Sequence, residues 1–198
     1  MSWVTTTELA AGFRRRLLDG MAAAIRRGGY AETTVADIVR EARTSRRTFY
    51  AHFADRQECL MALLHESNAK TIARIEQAVD PHAPWETQVR QAIEAWIAAV
   101  QADPPITLAW IREVPALGTS ACRLQRETMD AFVVLIQRLT DTHELRTAGV
   151  LPPTPQAAIV LLGGLRELIA TTVEDNADIN GLTEAAVSAT KLLLGPRG

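Results

Sequence analysis

Apolar residues recur at helical spacing along nearly the whole chain, and the places where that spacing breaks divide it into segments. Phe13, Leu17, Met21 and Ala24 or Ile25 form the first stripe, which predicts a helix over residues 6–28 that stops at Gly28-Gly29. Tyr30, directly after the glycines, is placed to plug a small core. Val35, Ile38, Val39 and Ala42 then repeat at i, i+3, i+4 and i+7, one face of a short helix for which Thr34 and Asp37 supply a short-armed capping box. A polar corner, Arg43-Thr44-Ser45, follows, and either Thr44 or Ser45 can cap the next segment. In that segment Phe49 and Phe53 are four apart and can fold back onto the preceding helix, which leaves Arg46, Arg47, Thr48, Tyr50 and His52 outside.

Beyond the corner, Asp55 and Glu58 open a long helix over about 55–78 carrying Cys59, Leu60, Leu63 and Leu64. The loop Asp80-Pro81-His82-Ala83-Pro84 separates it from Trp85 to Ala102, where Val89, Ile93, Trp96, Ile97 and Val100 share a face. Asp103-Pro104-Pro105 forces a break ahead of a short helix with Leu108, Trp110 and Ile111, which Pro115 and Gly118 end. A further helix is expected from Thr119 or Ser120 to about Thr142, and the last two from Thr154 to about Asp175 and from Thr183 to Leu194. With no alternating strand, the pattern predicts an all-α chain of about nine helices. Residues 1–54 are expected to form a three-helix head with a helix-turn-helix, and 55–198 a helical body.

The helix after Thr154 is apolar on more than one face and contains Gly163-Gly164 in its middle. Each glycine costs about 1 kcal/mol against alanine there, which is reasonable if another backbone approaches closely. A homodimer through the last two helices follows, with Leu162, Gly163, Leu165, Ile169, Val187 and Leu192 at its interface; burial within a single chain is the alternative.

Charge sharpens the division between head and body. The 198 residues carry a net charge of only −2, yet residues 1–56 hold ten arginines against six acids and the remainder holds 11 bases against 17 acids. A basic end on an acidic body points to one end meeting phosphates. The hydrophobic fraction of 47% is enough for a substantial core. Cys59 and Cys122 lack metal-ligand spacing and read as buried, reduced thiols. The first residues have no signal-peptide architecture, and the apolar run Ala157–Leu165 stops at Arg166, too short for a bilayer, so a cytoplasmic protein without membrane contact is expected.

The order Thr-Thr-Val-Ala-Asp-Ile-Val over residues 33–39, then Ser-Arg-Arg-Thr-Phe-Tyr-Ala-His-Phe over 45–53, resembles the TetR (tetracycline-repressor-like) family of one-component regulators. The resemblance implies a dimer with a ligand site in the body, and that Tyr50 and His52 face phosphates while Phe53 is core. Two positions depart from the pattern. Arg43 stands where glycine is common in the corner and would cost on the order of 1 kcal/mol at positive φ, and Arg47 adds a long donor that makes another member's operator a poor guide. On this reading Arg46, Arg47 and Thr48 meet base edges in double-stranded DNA, while Thr34, Ser45, Tyr50, His52 and Arg56 hold phosphates.

No glycine-rich phosphate loop, paired metal-ligand motif or nucleophile elbow is present, so no catalytic residue, metal or cofactor is expected. For the body, Trp96, Val100, Leu108 and Trp110, facing Met129, Phe132, Val133 and Leu165, are the candidate lining of a pocket for a small apolar or aromatic effector. Arg112 and Glu113 add polar selectivity or pair with solvent. The expected function is a repressor released from a palindromic operator by that effector. The alternative is a helical carrier or sensor whose basic head docks a protein partner.

Overall fold

Ten α-helices joined by short turns make up residues 6–196, which the computed structural model describes with side chains from residue 10 onward; these residues contain no strand. The helices are α1 (Thr6–Glu32), α2 (Val35–Glu41), α3 (Arg46–Tyr50), α4 (Arg56–Ala78), α5 (Trp85–Ala102), α6 (Pro104–Leu108), α7 (Thr119–Thr140), α8 (His143–Thr147), α9 (Pro155–Glu174) and α10 (Thr183–Leu194). A π-turn over Ala109–Glu113 and a 3₁₀ turn over Val114–Ala116 lead out of α6.

Most boundaries fall where the sequence places them. Gly29 adopts φ 77°, ψ 168° and breaks α1 at the expected stop, after which one more turn closes as the Thr33 hydroxyl donates to the Gly29 carbonyl at 2.7 Å. The unexpected element is α8. Thr142, taken from sequence as the end of the previous helix, instead caps α8 by accepting from the Leu145 N–H at 3.2 Å. Five residues with one buried leucine are too short to show a period.

The head and body share one core. Leu17, Met21 and Ile25 of α1 pack with Ile38 of α2, Phe49 of α3 and Phe53, and the same cluster runs through Leu60 and Leu64 of α4 to Ile106, Val114 and Leu124. The start of α4 is a boundary along the chain but not in the packing. A second cluster joins Trp85, Val89, Ile93 and Ile97 of α5 to Leu161 and Leu165 of α9 and to Val187 and Leu194 of α10.

Several expectations need correction. Leu165, Ile169 and Val187, read as interface residues, are turned inward and buried in the chain's own core, and Leu162 is half-buried. Gly163 and Leu192, also expected there, do lie on the outer faces of α9 and α10, beside Ile159, Val160, Gly164 and Leu193, and a Cβ added at either glycine would meet nothing within 4 Å. Taken whole, α9 is by length and composition apolar enough to cross a bilayer, although its apolar run stops at Arg166 as read, and its Leu161, Leu165 and Ile169 are buried in the chain's own core. Cys59 is buried, and burial pushes its thiol up to about 12, but Cys122 is exposed.

Gly20 is where α1 crosses α2, and a Cβ there would lie 2.6 Å from the Ile38 carbonyl oxygen. Gly20→Ala should therefore force the helices apart and destabilise the protein by about 1–3 kcal/mol. Gly12→Ala on the same helix, with open space around it, should stabilise by up to about 1 kcal/mol. Urea midpoints measure both, and an unchanged midpoint for Gly20→Ala would contradict the close approach.

Candidate nucleic-acid interface and ligand cavity

The start of α2 is closed by reciprocal bonds. The Asp37 N–H donates to Thr34 Oγ1 at 3.2 Å, and Asp37 Oδ2 accepts from the Thr34 N–H at 3.0 Å and from its hydroxyl at 2.5 Å. These bonds, helped by Arg40 at 2.7 Å, hold the Asp37 carboxyl down to about 2. The Thr34 hydroxyl thus already donates and accepts within the box, so the expected phosphate contact from it competes with the cap. Ser45 is similarly engaged: it accepts from the Thr48 N–H at 3.1 Å and lies 2.9 Å from the Thr48 hydroxyl.

The corner is a Schellman turn with arginine in glycine's usual place. Arg43 sits at φ 50°, its N–H bonds to the Arg40 carbonyl at 3.2 Å and the Thr44 N–H to the Val39 carbonyl at 2.9 Å. The expected strain is present, and Arg16 of α1 clamps the turn from outside. Its guanidinium donates to the Ala42 carbonyl at 2.7 and 3.1 Å and to the Arg43 carbonyl at 2.5 Å. Arg14 also works locally, pairing with Glu66 at 2.5 Å and lying 5.5 Å from the centre of the Phe53 ring. Of the three consecutive arginines, Arg15 is left without a side-chain partner among the described residues.

Helix α3 is one turn and a half. Its inward anchor is fully buried Phe49, tilted at 47° against Phe53 with ring centres 5.8 Å apart, and Tyr50 stands edge-on to Phe49 at 5.4 Å while remaining 59% exposed. Arg46 and Arg47 are exposed and make no hydrogen bond or ion pair among the described residues; Thr48 and His52 are half-buried beside them. Arg56 has a different role from the expected phosphate contact. From the first turn of α4 its Nη1 reaches back to the carbonyls of Tyr30, at 3.1 Å, Ala31, at 3.2 Å, and Thr33, and its guanidinium covers the Tyr30 ring at 4.5 Å. It is a strut tying α4 to the end of α1.

Two adjoining chambers lie in the body. The first, with a volume of about 130 Å³, is bounded by α4, α5, α6, α7 and α9, and Trp96, Val100, Trp110, Met129, Phe132 and Leu165 line it as expected. Leu108 and Val133 line neither chamber: Leu108 packs beside Val100, Ile111 and Ile169, and Val133 is buried between helices. The second chamber, about 100 Å³, shares Trp96, Phe132, Leu162 and Leu165 with the first and is otherwise walled by residues such as Ile75, Val89, Ile93 and Leu135.

Sequence reasoning missed the first chamber's polar members. Asn68, Asp103, Gln125, Thr128 and Arg166 all line it, and Asn68 Nδ2 and Asp103 Oδ1 are buried without a partner. Arg166 is half-buried, its charged form disfavoured by burial, and its Nη2 donates to the Ile111 carbonyl at 3.0 Å. The readable signal was a lone cation ending an apolar run. Asp103, taken only as a helix breaker, also binds the head: its Oδ2 accepts from Arg26 of α1 at 2.5 and 3.0 Å. Arg112 does not enter the cavity, since Glu167 and Glu174 of α9 hold it at 2.8 and 2.6 Å. Among the described residues no group of His, Cys, Asp and Glu is assembled to hold a metal.

Residues 17–63 match the family model described as bacterial regulatory proteins, tetR family. The head is therefore a tetR-family helix-turn-helix domain. No curated protein matches the chain. Its fold is that of solved tetR-type regulators. The fatty acid degradation regulator FadR from Bacillus halodurans superposes with a TM-score of 0.77 at 17% identity, over 91% of this chain and 94% of that one. FadR from Bacillus subtilis, solved in complex with stearoyl-CoA, gives 0.76 at 17% identity over 92% and 99%. A tetR-family regulator from Streptomyces coelicolor gives 0.75 at 17% over 91% and 79%.

The Asp37 carboxyl titrates near 2 in the folded head against 3.8 ordinarily, so its contribution is complete above about pH 5 and is lost as pH falls through 2. Asp37→Asn should be less stable than the parent at pH 5, and the gap should close as pH approaches 2 in thermal melts. A gap independent of pH would contradict the capping box.

Proposed function

We propose that this chain is a ligand-responsive transcriptional repressor, acting in the cytoplasm, that binds a palindromic DNA operator as a homodimer and is released by a small, largely apolar molecule. The observation that carries this reading is the outer face of α3: two exposed arginines whose side chains have no partner among the described residues, on a helix whose inner face is locked into the head. Arg46, Arg47 and Thr48 read base edges in the major groove, where an arginine held bidentate on guanine is worth about 1–3 kcal/mol of discrimination. Tyr50 and His52 meet phosphates and set register without reading sequence. Thr34 and Ser45 support this by fixing the starts of α2 and α3, and Arg56 by fixing the frame.

Two heads must sit about 34–36 Å apart, or a multiple of a helical turn, to enter successive grooves of a palindrome. The uncovered apolar face of α9 and α10, with Leu192 87% exposed, supports a second copy docking there, as do Gly163 and Gly164, which leave room for close helix approach. The stearoyl-CoA complex of the Bacillus subtilis regulator, a protein of the same fold, supports an apolar ligand in the body. A coupling of about 1–3 kcal/mol between ligand and DNA would change occupancy about 5- to 150-fold.

Selection of bound duplexes from random DNA tests the reading. Arg47→Ala should relax preference at one base position by about 1–3 kcal/mol, whereas Tyr50→Ala should weaken all sequences alike. Affinity should fall with salt at a log-log slope near −0.9 per phosphate neutralised; a flat salt response would exclude groove binding. In sedimentation, Leu192→Glu paired with Val160→Glu should convert a dimer to monomer and lower operator affinity. A dimer indifferent to both would move the interface elsewhere.

A further inference from the structure

The first chamber holds more polar machinery than an apolar ligand can use. A buried polar group without a partner is costly, and this chamber has two of opposite kind, the Asn68 amide as donor and Asp103 Oδ1 as acceptor. Arg166 adds a half-buried cation with one carbonyl bond, no carboxylate joins it in an ion pair among the described residues, and burial works against its charge. The second chamber lies on the other side of the same four shared side chains, and its walls are largely aliphatic and aromatic, the buried Trp85 Nε1 being one exception. The first chamber thus offers partners for an anion and a donor, and the second offers cover for hydrocarbon reached past those side chains.

Asp103 connects this recognition to the head. Asp103 is one of the residues lining the chamber; its Oδ1 is buried without a partner, and its Oδ2 takes both Arg26 bonds from α1. Helix α1 is the element that packs on α2 and clamps the corner before α3 through Arg16. A donor arriving on Oδ1 draws electron density and position from the carboxylate that Arg26 holds.

Building on the repressor reading, we propose that the effector is a small amphipathic acid. Its carboxylate is read by Arg166 and Asn68, its hydroxyl or amine by Asp103 Oδ1 and its hydrocarbon by the second chamber, and the Asp103–Arg26 bridge reports its binding to the DNA-reading head. The chambers, about 130 and 100 Å³, are on the scale of the roughly 150 Å³ that accommodates benzene, which suits a ligand of one aromatic ring with a short chain.

Three matched probes test this on the full-length protein: propylbenzene, 3-phenylpropionate and 3-hydroxy-3-phenylpropionate, followed by the fluorescence of Trp96 and Trp110 in the cavity wall. The carboxylate should tighten binding about tenfold over propylbenzene and the hydroxyl several-fold more. Arg166→Met should erase the first increment and Asp103→Asn the second, with propylbenzene binding unchanged as the check that each variant is folded. In the presence of DNA, the hydroxy acid should lower affinity at least fivefold, and Arg26→Gln should abolish that effect while leaving probe binding intact. Equal affinity of the three probes for the parent protein would overturn the ligand class, and undiminished release from DNA in Arg26→Gln would overturn the bridge. If the ligand-free protein failed to bind any duplex, the repressor reading would fall, yet the fluorescence series would still decide the cavity's chemistry.

Discussion

A helix of five residues does not hold itself together in water, since nucleation costs more than one or two backbone bonds return. Helix α3 therefore exists only because other parts of the head grip it. Phe49 and Phe53 sink its inner side into the core, Ser45 accepts from the free Thr48 N–H in its first turn, and Arg16 ties down the carbonyls of the corner before it. Having its stability supplied from one side leaves the other side free of structural duty. Arg46 and Arg47 point outward with no side-chain partner among the described residues, whereas Arg14, Arg16, Arg26, Arg27, Arg40 and Arg56 of the same head are tied into its frame.

How much of this could be read from sequence depended on the range of the interaction. The caps at Thr34, Ser45 and Asp55 and the aromatic pair at Phe49 and Phe53 act over three or four residues, and the pattern along the chain displays them directly. The positive φ at Arg43 was legible because a corner of that kind asks for glycine. Arg16 and Arg56 were not, because the carbonyls they hold lie 23 to 27 residues away and no local pattern announces a carbonyl with a spare lone pair. The close crossing at Gly20 was hidden for the same reason.

Helix α9 failed in a different way. A helix apolar on more than one face has little phase in its hydrophobic pattern, so periodicity could show that two partners were needed but not which residues met which. Leu165, Ile169 and Val187 belong to the chain's own core, and the exposed stripe lies half a turn away on Ile159, Val160 and the two glycines. In the cavity, six of the eight expected lining residues were placed there, because large apolar side chains on facing helices must meet. Asp103 and Arg166 escaped because each already had a sufficient local explanation, one as a helix breaker and the other as the end of an apolar run. Asp103, at the start of α6, bonds Arg26 of α1 directly, and Ile106 of α6 shares a core with Leu17, Met21 and Ile25 of α1.

The account stands on α3 entering the major groove with its paired arginines against guanine. Methylation protection of guanine N7 on a selected duplex reads that contact directly. It should show two patches of protected guanines, related by a twofold axis and centred one helical turn or a multiple apart, with protection in each patch lost in the Arg46→Ala, Arg47→Ala double variant. Tight binding that leaves every guanine N7 reactive would contradict it.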